Sequence, residues 1–147
     1  MDSPTPCRSC GYVDTEGKIC WEYTFRKHLW SLNKLKSNYK GQAGRLYKGQ
    51  RNVYITHMLR ADIPKQGDEH RQVEITRIYR KGRRRYDFDN LAGGCKPLVD
   101  ALRKHDIIHD DDGKRKYATV VYFQAPVAEY PDLDPDTDYV RVIVREL

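Results

Sequence analysis

Alternating apolar residues over 19–25, a helical apolar stripe over 91–102 and β-rich runs at 72–79, 117–124 and 139–145 predict an α+β fold. The expected architecture is a mixed or antiparallel sheet packed by two main helices. A chain of 147 residues supports a single modest core, so 1–147 reads as a single domain.

Residues 1–18 read as a polar N-terminal extension. Ile19, Trp21, Tyr23 and Phe25 alternate with Cys20, Glu22 and Thr24, the period-two pattern of a half-buried strand. Cys7, Cys10 and Cys20, with His28 further on, have no spacing that builds a zinc finger, and no zinc is expected. Trp30 to Asn33 is a short element after that strand. Lys34 to Arg51 is basic and glycine-punctuated, a loop leading into a helix that runs to about Arg60. Tyr47, Val53 or Tyr54, Met58 and Ala61 are expected on its buried side. The segment 63–70 is a turn, Gln72–Tyr79 a strand, and Arg80-Lys81-Gly82 a further turn.

Leu91, Cys95, Leu98 and Leu102 recur at steps of four, three and four, and the helix is expected to end near His105. Pro97 suits a first turn, so regular helix is expected from Lys96 or Pro97. Tyr117–Gln124 is rich in β-branched and aromatic residues and reads as a central strand. The segment 125–138 carries Pro126, Pro131, Pro135 and five acids, and reads as a solvated acidic loop. Tyr139–Arg145 alternates Val140, Val142 and Val144 with polar neighbours and is the last strand.

The net charge is +6, and outside 126–147, which hold two arginines and six acids, the balance is +10. That surface attracts polyanions. No apolar run reaches the roughly 20 residues of a membrane span, so no membrane association is expected. The N-terminus lacks a basic and an apolar signal region, and the expected compartment is a reducing cytoplasm.

The densest chemistry lies in 83–112. Arg83, Arg84 and Arg85 precede Asp87 and Asp89, and Asp110, Asp111 and Asp112 close the stretch. Read as extended, Asp87 and Asp89 share a face while Tyr86 and Phe88 turn into the core. The helix and a return at Ile107-Ile108 are then expected to bring the two acidic groups to one edge. Oxygen-rich acid clusters suit Mg²⁺ or Mn²⁺, and the guanidinium groups suit phosphate. Spacing leaves open which of the three adjacent acids is the ligand. Asp100 is open between a fourth ligand and a partner orienting Lys96. Arg77, Arg80, Lys81, Arg83, Arg84 and Arg85, with Lys114 and Lys116, are the expected DNA-contacting set. These residues outline a metal-dependent phosphodiesterase on nucleic acid. A non-catalytic basic DNA-binding protein with solvated acids is the alternative.

Asp87, Asp89, Asn90, Leu91, Lys96, Asp100-Ala101-Leu102, Ile107-Ile108 and Asp110-Asp111 together resemble the RusA family of Holliday junction resolvases. The resemblance implies a small homodimeric, Mg²⁺-dependent endonuclease that resolves four-way DNA junctions by paired nicks, in recombination and repair. By motif position it implies metal binding at Asp87, Asp89 and Asp111, with Asp110 beside them, and an assisting role for Lys96. The Ser31-Leu32-Asn33 run also resembles a short element of that family. One departure is visible: Ala92-Gly93-Gly94-Cys95 sets Lys96 about three residues further from Asn90 than in the simplest members. The glycines are expected to allow a bulge or a close backbone approach to DNA.

Overall fold

The computed structural model describes residues 11–36, 43–109 and 118–147. Its elements are β1 (Tyr12–Val13), β2 (Ile19–Arg26), α1 (Leu32–Lys36), α2 (Ala43–Ala61), β3 (Arg71–Tyr79), α3 (Phe88–Gly94), α4 (Lys96–Lys104), β4 (Ala118–Pro126) and β5 (Tyr139–Glu146), with a 3₁₀ turn at Val127–Glu129. The strands form one mixed sheet in the order β1-β2-β5-β3-β4. Only β3 and β4 are parallel, and a parallel pair needs a long crossover, here α3 and α4. The fold is thus the α+β arrangement the sequence predicts, in one compact unit.

Register builds the core in rows. Trp21, Val144, Val73 and Val120 lie side by side across β2, β5, β3 and β4, and Tyr23, Val142, Ile75 and Tyr122 form the next row. Tyr54, Met58 and Ala61 of α2 pack on this face together with Leu91, Leu98 and Leu102. The opposite face carries ion pairs: Arg145 with Glu74 (2.9 Å) and Asp14 (3.0 Å), and Arg141 with Glu22 (2.7 Å). Charged side chains there keep in water a face that no helix among the described residues covers.

Arg71 fastens the lower end of the sheet. It is 1% exposed, lies over the Trp21 ring, and donates to the carbonyls of Pro64 (2.6 Å) and Ile107 (2.8 Å) and to Glu146 (3.0 Å). A buried guanidinium needs this many acceptors to offset its desolvation.

Four expectations change. The β4 strand is an edge strand, not a central one; β5 occupies the centre. Strand β4's composition misleads because the helices cover one face of the sheet only, so Phe123 stays half exposed. Part of the N-terminal extension, Tyr12–Val13, pairs with β2 and helps bury Cys20, while Ile19 is exposed. Cys20 Sγ donates to Asp14; Cys7 and Cys10 lie outside the described residues. The acidic loop is not simply solvated. Val127 is buried against Ile78 and Tyr139 with Tyr130 and Leu133 packed beside them, and the Asp134 carboxylate accepts from Asp136 N and Thr137 Oγ1. On α2, Tyr54 is buried and Val53 is exposed. No helix among the described residues is long and apolar enough to cross a membrane.

Candidate metal and nucleic-acid site

Strand β3 ends at Tyr79, and a tight turn follows in which Arg83 N donates to Arg80 O (3.1 Å) with Gly82 at φ 89°. That positive φ is what the sequence needs glycine for at this position. The turn aims an exposed run at solvent: Arg80, Lys81, Arg83, Arg84 and Arg85 all project there. Arg77 does not join them. It is 2% exposed, donates to Arg84 O (2.9 Å) and Gln124 Oε1 (3.2 Å), and packs 3.5 Å from the Tyr86 ring centroid. It therefore leaves the DNA-contacting set. Its parity gives the reason: Arg71, Val73, Ile75 and Arg77 share the covered face of β3. Burial lowers its pKa, with the Tyr86 ring and Asp138 opposing that shift.

Gln124 continues this clamp. Its amide accepts from Tyr86 N (2.9 Å) and donates to Tyr86 O (2.6 Å), while Tyr86 OH donates to Leu29 O. The backbone immediately before Asp87 is thus fixed to the ends of β3 and β4.

Asp87 is the N-cap of α3, with φ −66° and ψ 165°. Its carboxylate accepts from Asn90 N (2.9 Å) and Asn90 Nδ2 (3.1 Å), satisfying a first-turn donor. Asp89 stands in the first turn of α3, where the helix dipole favours an anion. The pair therefore meets at a helix N-terminus and not on an extended segment. Phe88, expected in the core, is 66% exposed. Asn90 Oδ1 in turn accepts from Asn33 N (3.0 Å), and Ser31 Oγ caps α1 by accepting from Lys34 N (3.2 Å). The S-x-N element and the D-x-D-N motif are thereby one hydrogen-bonded unit.

The glycines hold that unit together. A Cβ on Gly94 would overlap the Trp30 carbonyl oxygen, and one on Gly93 would meet Leu32 carbons at 2.7 Å. They permit close approach to the protein's own Trp30–Leu32 backbone. Lys96, seven positions after Asp89, opens the next helix, α4. Pro97, which has no N–H to donate to Gly93 O, marks the break between α3 and α4 at Cys95. Lys96 is exposed. Asp100 accepts from Tyr47 OH and pairs with Arg103 (3.7 Å), tying α4 to α2.

Asp110, Asp111, Asp112, Lys114 and Lys116 lie outside the described residues. Their flanks are informative. His109 N donates to Gln66 Oε1 (2.8 Å), Ile107 O accepts from Arg71, and Ala118 pairs with Arg71. The chain enters and leaves the run at the Arg71 end of β3, whereas Tyr86 is bound at the Arg77 end. Those ends are six residues apart, about 20 Å. The expected return to one edge falls on residues outside the described ones; α3 and α4 carry the chain from the Arg77 end of β3 towards its Arg71 end. No group of three or more His, Cys, Asp or Glu side chains among the described residues is placed to hold a metal.

A separable pair of effects checks the reassignment of Arg77. Arg77→Ala is expected to lower stability by about 2–3 kcal/mol by leaving Arg84 O and Gln124 without their charged donor. Arg84→Ala or Arg85→Ala should leave the melting temperature unchanged and reduce the salt dependence of DNA binding by about one unit of slope each. Thermal unfolding and salt-titrated binding measure the two.

No protein-family model matches the chain, and no curated protein matches it in sequence.

Proposed function

We propose that this chain is a divalent-metal-dependent endonuclease acting on branched DNA, a resolvase of four-way junctions working as a homodimer. The observation that carries the reading is the pair of exposed carboxylates, Asp87 and Asp89, at one rigidly tethered helix N-terminus directly after five exposed basic side chains. The donor set suits a hard cation: it is oxygen only, and each Asp87 oxygen gives one hydrogen bond's worth of acceptance to Asn90 and keeps the rest. Asp87, Asp89 and Asp111, with Asp110 adjacent, would hold Mg²⁺, with Mn²⁺ able to replace it. When bound, such a metal polarises the phosphate and lowers the pKa of its water. The Arg83–Arg85 guanidinium groups hold the backbone phosphates, contacts that position DNA without reading bases. Lys96 presents a positive charge to the negative charge that develops on the phosphate.

A two-fold dimer supplies two catalytic sites related like the two strands of a junction. That provides the two matched nicks that junction resolution requires.

A nicking assay on a synthetic four-way junction, with and without Mg²⁺, tests the activity. Light scattering tests the assembly: a dimer is expected at micromolar concentration, and a monomer overturns it. The non-catalytic reading draws on the lack of a three-acid cluster among the described residues; calorimetric titration with Mg²⁺ showing no binding would favour it.

A further inference from the structure

Phe88 and Phe123 are 66% and 50% exposed, although an aromatic ring is among the most favourable groups to bury. They flank one cavity of about 310 Å³, lined also by Arg85, Leu91, Tyr122 and Gln124. That volume is at the lower end for small-molecule sites. Tyr122 meets Phe88 edge-on, 6.4 Å between centroids at 72°, which steadies the Phe88 ring from one side and leaves most of it in solvent. Leu91 is buried beneath.

The polar group in the cavity is largely committed: Gln124 Oε1 accepts from Tyr86 N and Arg77 and Nε2 donates to Tyr86 O, which leaves a guest one Nε2 hydrogen at most. What remains is aromatic surface with a guanidinium at its rim, next to Asp87 and Asp89. From this we infer that Phe88, Tyr122 and Arg85 form a cleft that takes an unstacked nucleobase of DNA, recognised through its face.

Aromatic platforms stack any base, and Arg85 serves the adjoining phosphate or the base plane. Duplex bases are not free to enter, whereas a branch point or a single strand offers bases out of the stack. A second copy of the chain is the less suited occupant. A two-fold axis through the cleft would bring the exposed Arg83, Arg84 and Arg85 of two protomers together, and like charges so placed repel. The inference deepens the nucleic-acid reading above and rests on it: it names what makes the site prefer branched over continuous DNA.

The test is equilibrium binding in EDTA, without catalysis, of a four-way junction, a single-stranded oligonucleotide and a fully paired duplex. Phe88→Ala is expected to weaken single-strand and junction binding roughly 5- to 100-fold and to leave duplex binding within about twofold. Phe88→Trp should retain binding, with the new indole quenched by single strands beyond any change from Trp21 and Trp30. Unchanged binding by Phe88→Ala, an equal loss on all three DNAs, or dissociation of a dimer by Phe88→Ala in light scattering overturns the cleft. Wild-type protein that binds none of the three at low salt overturns the nucleic-acid reading itself.

Discussion

Asp87→Asn is expected to reduce Mg²⁺-dependent junction cleavage by about 10³-fold or more, since a ligand to the metal contributes several kcal/mol to the transition state. The fold should not change. Asparagine is as good an N-cap as aspartate, and its Oδ1 still accepts from Asn90 N. Asp89→Asn should match this loss, with only a few tenths of a kcal/mol in stability from the helix dipole. Junction binding should persist in both, and tighten at low salt as negative charge beside Arg83–Arg85 is removed. Single-turnover cleavage alongside metal-free binding measures the two quantities. Near-wild-type cleavage by either variant removes these carboxylates from the chemistry.

Gly94→Ala is expected to be the most destabilising of the small substitutions. A methyl group there overlaps the Trp30 carbonyl oxygen, a backbone atom that cannot rotate aside. Separating α3 from the Trp30–Leu32 segment would cost about 3 kcal/mol or more and would break the Asn33–Asn90 bond with it. For a chain of this size that is a fall of roughly 10 °C in melting temperature. Gly49→Ala is the control. Its Cβ meets nothing within 4 Å inside α2, so it should gain about 0.5–1 kcal/mol of helix propensity. Calorimetry that finds Gly94→Ala as stable as the parent would mean that the close approach is not what the glycine is for.

The strands were legible because their periodicity is strong: Val140, Val142 and Val144 are all fully buried, as their alternation requires. So were Leu91, Cys95, Leu98 and Leu102, each on the covered side of the helices. What failed was long-range order. Composition marked 117–124 as a central strand, but a strand's place in the sheet depends on which strands neighbour it, and a single sequence does not encode that plainly. Arg77 was misread by counting charges along the chain. Its step of two from Ile75 would have placed it inward with Arg71. The D-x-D pair was read as extended because two acids at i and i+2 fit a strand, while the capping signal of Asp87 with Asn90 three residues on went unused. The roles of Asp87, Asp89, Asp111 and Lys96 come from motif likeness, and geometry adds only where each half of the motif is tethered.

Placing β5 in the middle of the sheet has a consequence for synthesis. Strands β2 and β3 have no pairing with each other; each bonds to the last strand, Tyr139–Glu146. While the chain emerges from the ribosome, β2, the helices and the β3–β4 unit are made before the strand that joins them. The non-local pairing that completes the sheet must await that final segment, which makes closure slow and leaves two open strand edges in the nascent chain. A nascent chain stalled before Tyr139 is therefore expected to be protease-sensitive throughout, and protection should arrive in one step as 139–146 clears the exit tunnel.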